Sequence, residues 1–379
     1  MVGFKLTSEQ EALRETARRF AEKEIVPKAT YYDEKEEVPI EILKKAHELG
    51  LLHSVVPEEY SGTGLSVFDT CLVIEELSAG CVGIADYFMA DNLSLTPIVI
   101  GGTEEQKKRF LSPMTCGLSF GAFCLSEPEV GSDAASLSTG VKRLGKEYVI
   151  RGTKQWITNG GVASQYTVFA TLDKSLGHKG ICCIIIPRDA KGIHVGKKEN
   201  KMGHRASDTR QIAFEDVRVP LENLIGKEGE GWKIAMRTLD ITRPLVGAAS
   251  VGVARAAMEH SILYAKERKQ FGIPIANFQA IQFMIADMAK DIEAARLLTW
   301  QAAWMVDNAI PSTLFSAYAK CFASDIAMHV TIDAVQIFGG YGYTKDYPVE
   351  KLMRDAKLMQ IYDGTNQIQR LVIAREILK

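Results

Sequence analysis

Cysteine is scarce in this 379-residue chain, and no two cysteines have the C-x-x-C spacing. The seven thiols, with Cys182 and Cys183 the one close pair, read as reduced core residues of a cytoplasmic protein rather than a disulfide framework. An excess of either charge is missing too. The 45 basic and 47 acidic residues are spread along the chain and leave a net charge of -2, which argues against nucleic acid or an anionic membrane as the main partner. No apolar run approaches the roughly 20 residues that a membrane helix needs, and no cleavable leader is expected ahead of the first helix-forming stretch. The seven histidines form no H-E-x-x-H or comparable ligand cluster, so no metal is expected. A doubly wound dinucleotide fold is disfavoured as well. Strand-helix alternation is absent, and Gly339-Gly340-Tyr341-Gly342 is not a G-x-G-x-x-G loop.

What is present is enough apolar surface, 46% of residues, for a large core in two or three domains. Thr7 to Gln10 reads as a capping box, after which Leu13, Ala17, Phe20, Ala21 and Ile25 share one face of a helix that stops before Pro27. More helices are expected to about residue 112. From Tyr148 the texture changes to short β-rich runs, Tyr148–Ile150, Tyr166–Ala170, Ile181–Ile186 and Gln211–Phe214, separated by Gly, Asp and Lys turns. After Gly229-Glu230-Gly231 long helical periodicity returns and continues to Leu378. The expected architecture is α+β and multidomain: a helical domain at 1–122, a β domain at 123–228 and a helical bundle at 229–379.

Several motifs sit on this frame. They are Phe123-Cys124-Leu125-Ser126-Glu127-Pro128-Glu129-Val130-Gly131-Ser132-Asp133, Lys154-Gln155-Trp156-Ile157-Thr158-Asn159-Gly160 and Arg205-Ala206-Ser207-Asp208-Thr209. Arg268-Lys269-Gln270-Phe271-Gly272, Gln336-Ile337-Phe338-Gly339-Gly340 and the closing run Gln360 to Arg370 complete the set. In identity and order these resemble the signatures of the acyl-CoA dehydrogenase family over nearly the whole chain. The resemblance implies that family's fold, with a middle β-barrel-like domain and a C-terminal four-helix bundle, and it implies non-covalent FAD. Phe123, Leu125, Ser126, Trp156 and Thr158 would then line the flavin, with Arg268, Phe271, Gln336, Gly339, Gly340, Thr365 and Gln367 at the dinucleotide half shared with a neighbouring subunit. Ser132, Asp240, Arg243, Tyr362 and Gly364 match family positions near the CoA thioester, although for Ser132, Asp240 and Arg243 a purely structural hydrogen-bond network is an equal alternative. A homotetramer and reoxidation by electron-transfer flavoprotein are implied by the resemblance alone.

The departures from the family concern its base. The closing run carries Asp363 where the family usually has the Glu that removes the α-proton, and Asp is shorter by one carbon–carbon bond, about 1.5 Å. The alternative base position, in Leu239-Asp240-Ile241-Thr242-Arg243, holds Thr242. Asp91, in Met89-Ala90-Asp91-Asn92-Leu93, falls in a segment that lines the family's acyl pocket and commonly has Asn there. It reads either as a helix N-cap or as a relocated base. A thioester already unsaturated at the α,β-bond has no α-proton and offers its γ-proton instead. The pattern therefore resembles the cyclohex-1-ene-1-carboxyl-CoA branch of the family in anaerobic bacteria. The implied reaction is a 1,4-elimination, with the proton from C3 and the hydride from C6, giving cyclohexa-1,5-diene-1-carboxyl-CoA. The alternatives are α,β-dehydrogenation of cyclohexanecarboxyl-CoA or a short or medium acyl-CoA with Asp363 as base, an oxidase resembling nitroalkane oxidase, and a non-catalytic scaffold.

Overall fold

The computed structural model describes residues 5–379. Helix α1 (Ser8–Phe20) opens on the expected capping box: the Gln10 N–H donates to Thr7 Oγ1 at 3.2 Å and the Thr7 N–H to Gln10 Oε1 at 3.1 Å. Its apolar face runs on through a π turn at 21–25 and a 3-10 turn at 26–28, so Pro27 falls in the tighter turn, where its missing N–H costs no helical bond. Helices α2 (Ala29–Lys35) and α3 (Ile40–Glu48) lead to α4 (Val67–Gly101), which starts at the Ser66 N-cap. This helix breaks at Cys81, extended at φ -169° and ψ 109°, and then resumes. Two short helices, α5 (Glu104–Phe110) and α6 (Ser112–Thr115), close the segment.

The middle of the chain forms an eight-stranded sheet. Its strands are β1 (Gly121–Cys124), β2 (Gly140–Leu144), β3 (Glu147–Thr158), β4 (Gln165–Thr171), β5 (Ile181–Pro187), β6 (Ile193–Lys198), β7 (Thr209–Pro220) and β8 (Leu224–Ile225). The order is β6-β7-β3-β2-β4-β5-β8, with β1 beside β4 in parallel. The expected β-rich runs fall inside β3, β4, β5 and β7. Of the two register shifts in the β3–β7 pair, one lies between Ile150 and Gly152 and the other between Lys154 and Ile157. Such irregularities bend a strand and re-aim its side chains, and the second sits next to Trp156.

The last third is helical: α7 (Gly231–Glu267), a small hairpin of β9 (Lys269–Gln270) and β10 (Ile273–Pro274), then α8 (Gln279–Asp307), α9 (Thr313–Phe338), α10 (Val349–Met359) and α11 (Asn366–Ile377). One core joins α1, α3 and α4 to this bundle, a second fills the sheet, and a third lies between the C-terminal half of α4 and β5. The segment Thr313–Tyr343, which contains α9, is long and apolar enough by composition to span a membrane, with mean hydropathy 1.2, but half of that window is buried inside the chain. Its apolarity is that of a core helix packed in the bundle. All seven cysteines are free, and six of them are buried.

Candidate active site

The closing loop is built under backbone strain. Asp363 has φ 52° and Gly364 φ 86°, a left-handed pair that glycine accepts freely and aspartate better than most side chains. Lys320 of α9 holds the loop from below, its Nζ donating to Gly364 O at 2.9 Å and to Asn366 Oδ1 at 2.8 Å. Among the described residues the Asp363 N–H meets no acceptor, whereas the Tyr362 N–H bonds Leu358 O and the Asn366 N–H bonds Gln360 O. That leaves one backbone donor uncommitted beside the carboxyl.

Around Asp363 the electrostatics oppose one another. Burial pushes its carboxyl up from the ordinary value, Lys320 and Arg243 pull it back, and Asp86 adds a smaller push upward. Burial lowers the Lys320 ammonium to about 8 despite the attraction of Asp363. Arg243, almost fully buried, donates to Asp240 Oδ1 at 2.8 Å, and its Nε lies buried without a partner. Asp240 also accepts from Thr313 Oγ1 at 2.6 Å, and its carboxyl is raised by burial. Tyr362 packs edge-on against His204 at 5.8 Å, with its hydroxyl buried and unpaired. Two buried polar atoms left over beside a strained loop mark a place shaped for another molecule.

Asp91 is no helix cap. It lies deep within α4, far from the Ser66 N-cap, and is fully buried. The N-cap reading fails because the apolar run before Asp91 continues the same helix after the Cys81 break. The carboxylate instead accepts one bond on each oxygen: the Gly121 N–H of β1 reaches Oδ1 at 2.9 Å, and His53 Nδ1 lies 2.8 Å from Oδ2. Sequence reasoning missed His53. It lies 38 residues away in a loop after α3, and no local pattern ties the two. Burial alone would lower the His53 imidazole, but the charge and hydrogen bond of Asp91 outweigh it and the net shift is upward. Next to this pair, Asn92 Oδ1 accepts from the Ser54 hydroxyl (2.9 Å) and the Val55 N–H (3.0 Å). Asn92 and Ser54 line a small cavity of ≈ 20 Å³ together with Thr242, Thr96, Leu65 and Leu245. Thr242 returns its hydroxyl to Thr238 O at 3.1 Å, so this position carries no acid and no free base. The structure thus gathers Asp363, Arg243, Asp240, Tyr362 and Gly364 at one place. Asp91 stands apart, with no direct bond to them.

The two flavin-motif segments are tied by a buried ion pair. Glu127 accepts from Lys154 Nζ at 2.9 Å and from the Ser138 and Thr139 N–H groups at 2.7 and 2.8 Å, while Lys154 also donates to Leu125 O at 2.9 Å. Burial opposes ionisation of Glu127, but Lys154 and these donors override it and hold the carboxyl down at about 2. The clamp sets Phe123, Leu125 and Ser126 against the end of β3, where the Ser126 carbonyl accepts the Gln155 N–H at 3.0 Å. Trp156 then adopts φ 65° and leaves 60% of its surface bare, next to Thr158. A strained, exposed indole at the edge of a well-buried sheet is shaped for a planar partner.

At the far side a cavity of ≈ 530 Å³ is lined by Arg268, Gln270, Phe338, Gly339, Gly340 and Tyr341. Arg268 forms no ion pair among the described residues and lies over the Tyr341 ring at 5.5 Å, which leaves a cation for an anionic group. A Cβ at Gly339 or Gly340 would meet nothing within 4 Å, so this edge is open backbone. Phe271 is 94% exposed, and Gln336 is exposed on α9. These features fit a dinucleotide. Of the remaining candidates, Thr365 caps α11 by accepting the Ile368 N–H at 3.2 Å, Gln367 is exposed on the first turn of that helix, and Ser132 is exposed in the turn after β1. No group of His, Cys, Asp and Glu side chains able to hold a metal occurs among the described residues.

Comparisons with known proteins match this chain over nearly its whole length. The N-terminal, middle and C-terminal domains of acyl-CoA dehydrogenase match residues 7–117, 122–217 and 229–378. The chain is 46% identical over 377 residues to a probable acyl-CoA dehydrogenase, FadE25, of Mycobacterium tuberculosis, covering 99% of this chain and 97% of the relative. Butyryl-CoA dehydrogenase from Megasphaera elsdenii superposes with a TM-score of 0.97 at 43% identity, both chains being covered in full. A chain from a structure described as the electron transferring flavoprotein of Acidaminococcus fermentans gives 0.97 at 47% identity, again over both full lengths.

Proposed function

The chain belongs to the acyl-CoA dehydrogenase family, and from that premise we propose that it performs the 1,4-elimination of cyclohex-1-ene-1-carboxyl-CoA rather than ordinary α,β-dehydrogenation. It is an FAD-dependent oxidoreductase. Trp156 and the cavity at Arg268 would each hold part of FAD, and the bound flavin would supply the acceptor for the hydride that leaves the acyl ring. The protein's own residues handle the proton and the carbonyl. The uncommitted N–H of Asp363 donates to the thioester oxygen, which favours charge on that oxygen as the γ-proton leaves. Asp91 takes the proton from C3. Loss of H⁺ from C3 and H⁻ from C6 moves the ring double bond and creates a second one, so the product is the 1,5-diene with no change at the thioester.

The observation that carries this reading is the placement of acids. The two places where the family keeps Glu hold an aspartate one carbon short and a threonine whose hydroxyl is spent on its own helix. The remaining carboxylate of the acyl-pocket segment, Asp91, is fully buried, serves no cap and meets no lysine or arginine. Reoxidation by an electron-transfer flavoprotein accords with the Acidaminococcus relative. A homotetramer accords with exposed Phe271 and Arg268 at a cavity open to a neighbour.

A second reading keeps Asp363 as a working base for saturated thioesters, favoured by the upward push that burial gives its carboxyl. Anaerobic bleaching of the flavin separates the two. The cyclic enoyl thioester bleaches the protein under the first reading, and butyryl-CoA or cyclohexanecarboxyl-CoA under the second. A scaffold would bleach with none. Asp91→Asn is expected to keep FAD and thioester binding while turnover of the cyclohexene substrate falls by about 10²–10⁴, the usual worth of a general base. Turnover within a few-fold of the parent would remove Asp91 from the reaction.

A further inference from the structure

We infer that His53 is a positioning residue for the base, fixing and polarising Asp91 through Nδ1; this rests on the reading of Asp91 as proton acceptor. One observation separates His53 from the other fully buried histidine, His204. Buried His204 uses both ring nitrogens, Nδ1 toward Asp86 at 2.7 Å and Nε2 toward Asp355 O at 3.0 Å. His53, 3% exposed, uses one: Nδ1 faces Asp91, while Nε2 is buried without a partner. Its backbone is held at φ 57°, a conformation that costs free energy in a non-glycine residue; His204 at φ 48° shares that cost, so the idle nitrogen is what sets His53 apart. A ring kept in a strained turn, with one nitrogen unsatisfied, is there for its single bond.

The geometry defines what that bond does. Asp91 Oδ1 is occupied by the Gly121 N–H and Oδ2 by His53, so the carboxylate cannot rotate, and each oxygen keeps one free lone pair. The titratable groups facing His53 are Asp91 from α4 and half-buried His47 from α3, whose ring packs edge-on at 5.7 Å. The neutral Ser54–Asn92 pair flanks them. No lysine or arginine compensates the buried charge of Asp91, so the imidazole is its one partner able to carry positive charge. Protonated, His53 holds Asp91 as an ion pair and makes it a weaker base. Neutral, with the proton on Nδ1, it still donates and leaves Asp91 free to take the C3 proton. Activity on the acid side therefore follows the pair rather than either residue.

The test compares His53→Asn, which retains an N–H donor near the Nδ1 position but cannot be charged, with His53→Leu, which retains nothing. FAD content and thermal melting are measured on both, and kcat against pH is followed with cyclohex-1-ene-1-carboxyl-CoA. The Asn variant is expected to keep turnover within about ten-fold at neutral pH, with its acid limb moved to lower pH because the cationic form is gone. The Leu variant is expected to lose roughly ten- to a hundred-fold near pH 7, the cost of an unpaired buried carboxylate oxygen, and to recover on raising pH. A purely structural histidine would lower melting in both variants without moving either limb. Limbs that coincide with the parent's overturn the inference. If the Leu variant fails to bind FAD, the Asn variant alone decides, since an unchanged limb there is equally fatal. Should Asp91→Asn abolish turnover while both His53 profiles stay put, the base reading stands and this inference alone falls. Should Asp91→Asn remain active, both fall.

Discussion

On the proposed 1,4-elimination, replacing Asp363 by Glu should create the α,β-dehydrogenation of a saturated thioester. The substitution lengthens the side chain by one carbon–carbon bond, about 1.5 Å. General-base transfer needs heavy-atom contact of roughly 2.6–3.2 Å or one bridging water, so the aspartate falls short of a substrate α-carbon by about that bond. A misplacement near 1 Å costs on the order of 100-fold. The expected gain in kcat/KM for cyclohexanecarboxyl-CoA is therefore about 100-fold. Two features of the loop bear on it. The left-handed backbone at residue 363 suits Asp better than Glu and should take about 1 kcal/mol from folding stability. That strain is present in the free enzyme and in the complex alike, so it lowers the melting point and not the rate. Lys320 and Arg243, which pull the Asp363 carboxyl toward the ionised form, would act on Glu as well and keep it a competent acceptor. The cyclohexene substrate, lacking an α-proton, should gain nothing and is expected to slow, because the lengthened carboxylate reaches further into the site, crowds the ring and disfavours ionisation of a neighbouring acid. The assay is a pair of specificity constants, saturated and unsaturated thioester, for parent and variant with the same electron acceptor. No gain on the saturated substrate, or a parent that already oxidises it as well as the cyclohexene, would refute the account of Asp363 as a disabled base.

Other consequences concern the scaffold around the site. Lys154→Met should destabilise the chain by about 3–5 kcal/mol in urea unfolding, since it strands the buried Glu127 carboxylate, and should also lower FAD retention by loosening the turn against β3. The Glu127 contribution is present above its ordinary value of 4.5 and is lost as pH falls toward about 2; the fall of stability with acid in that window should become less steep in Glu127→Gln. Lys320 has the opposite sign. Its ammonium binds its proton less tightly folded than unfolded, so the stability of the parent relative to Lys320→Met should rise between pH about 8 and 10.5, read by denaturant midpoints across that range. Arg268→Ala should weaken FAD binding by roughly ten- to a hundred-fold, the worth of one charge-assisted bond to a phosphate, with the pH profile of turnover unchanged in reconstituted protein.

The parts of this fold that were legible are those written in local periodicity. The Thr7–Gln10 box is a four-residue pattern with its own hydrogen bonds, and the runs in β4 and β5 are apolar because both faces of those strands are buried. The flavin and thioester motifs were likewise contiguous. What escaped the sequence is what depends on two distant segments meeting. Asp91 looked like a cap because an acid stands before an apolar run. The reason it is none lies ten residues earlier, where Cys81 turns extended for a single residue and the helix then continues. His53 became meaningful only when the loop after α3 was laid on α4, and Lys320 only when α9 came under the closing loop.

The same division explains why the chemistry is harder to read than the family. Flavin binding is distributed over many motif residues, each recognisable in its own stretch, so a change in one leaves the signature intact. Proton abstraction depends on one carboxylate and the atoms within about 3 Å of it, which come from separate parts of the chain. A base can therefore move from the α7 or closing-loop positions to α4 while every motif around the flavin is preserved. The proposal of such a move rests on three features taken together: a short acid in a strained loop, a threonine with a spent hydroxyl, and a buried carboxylate held by a histidine with one idle nitrogen.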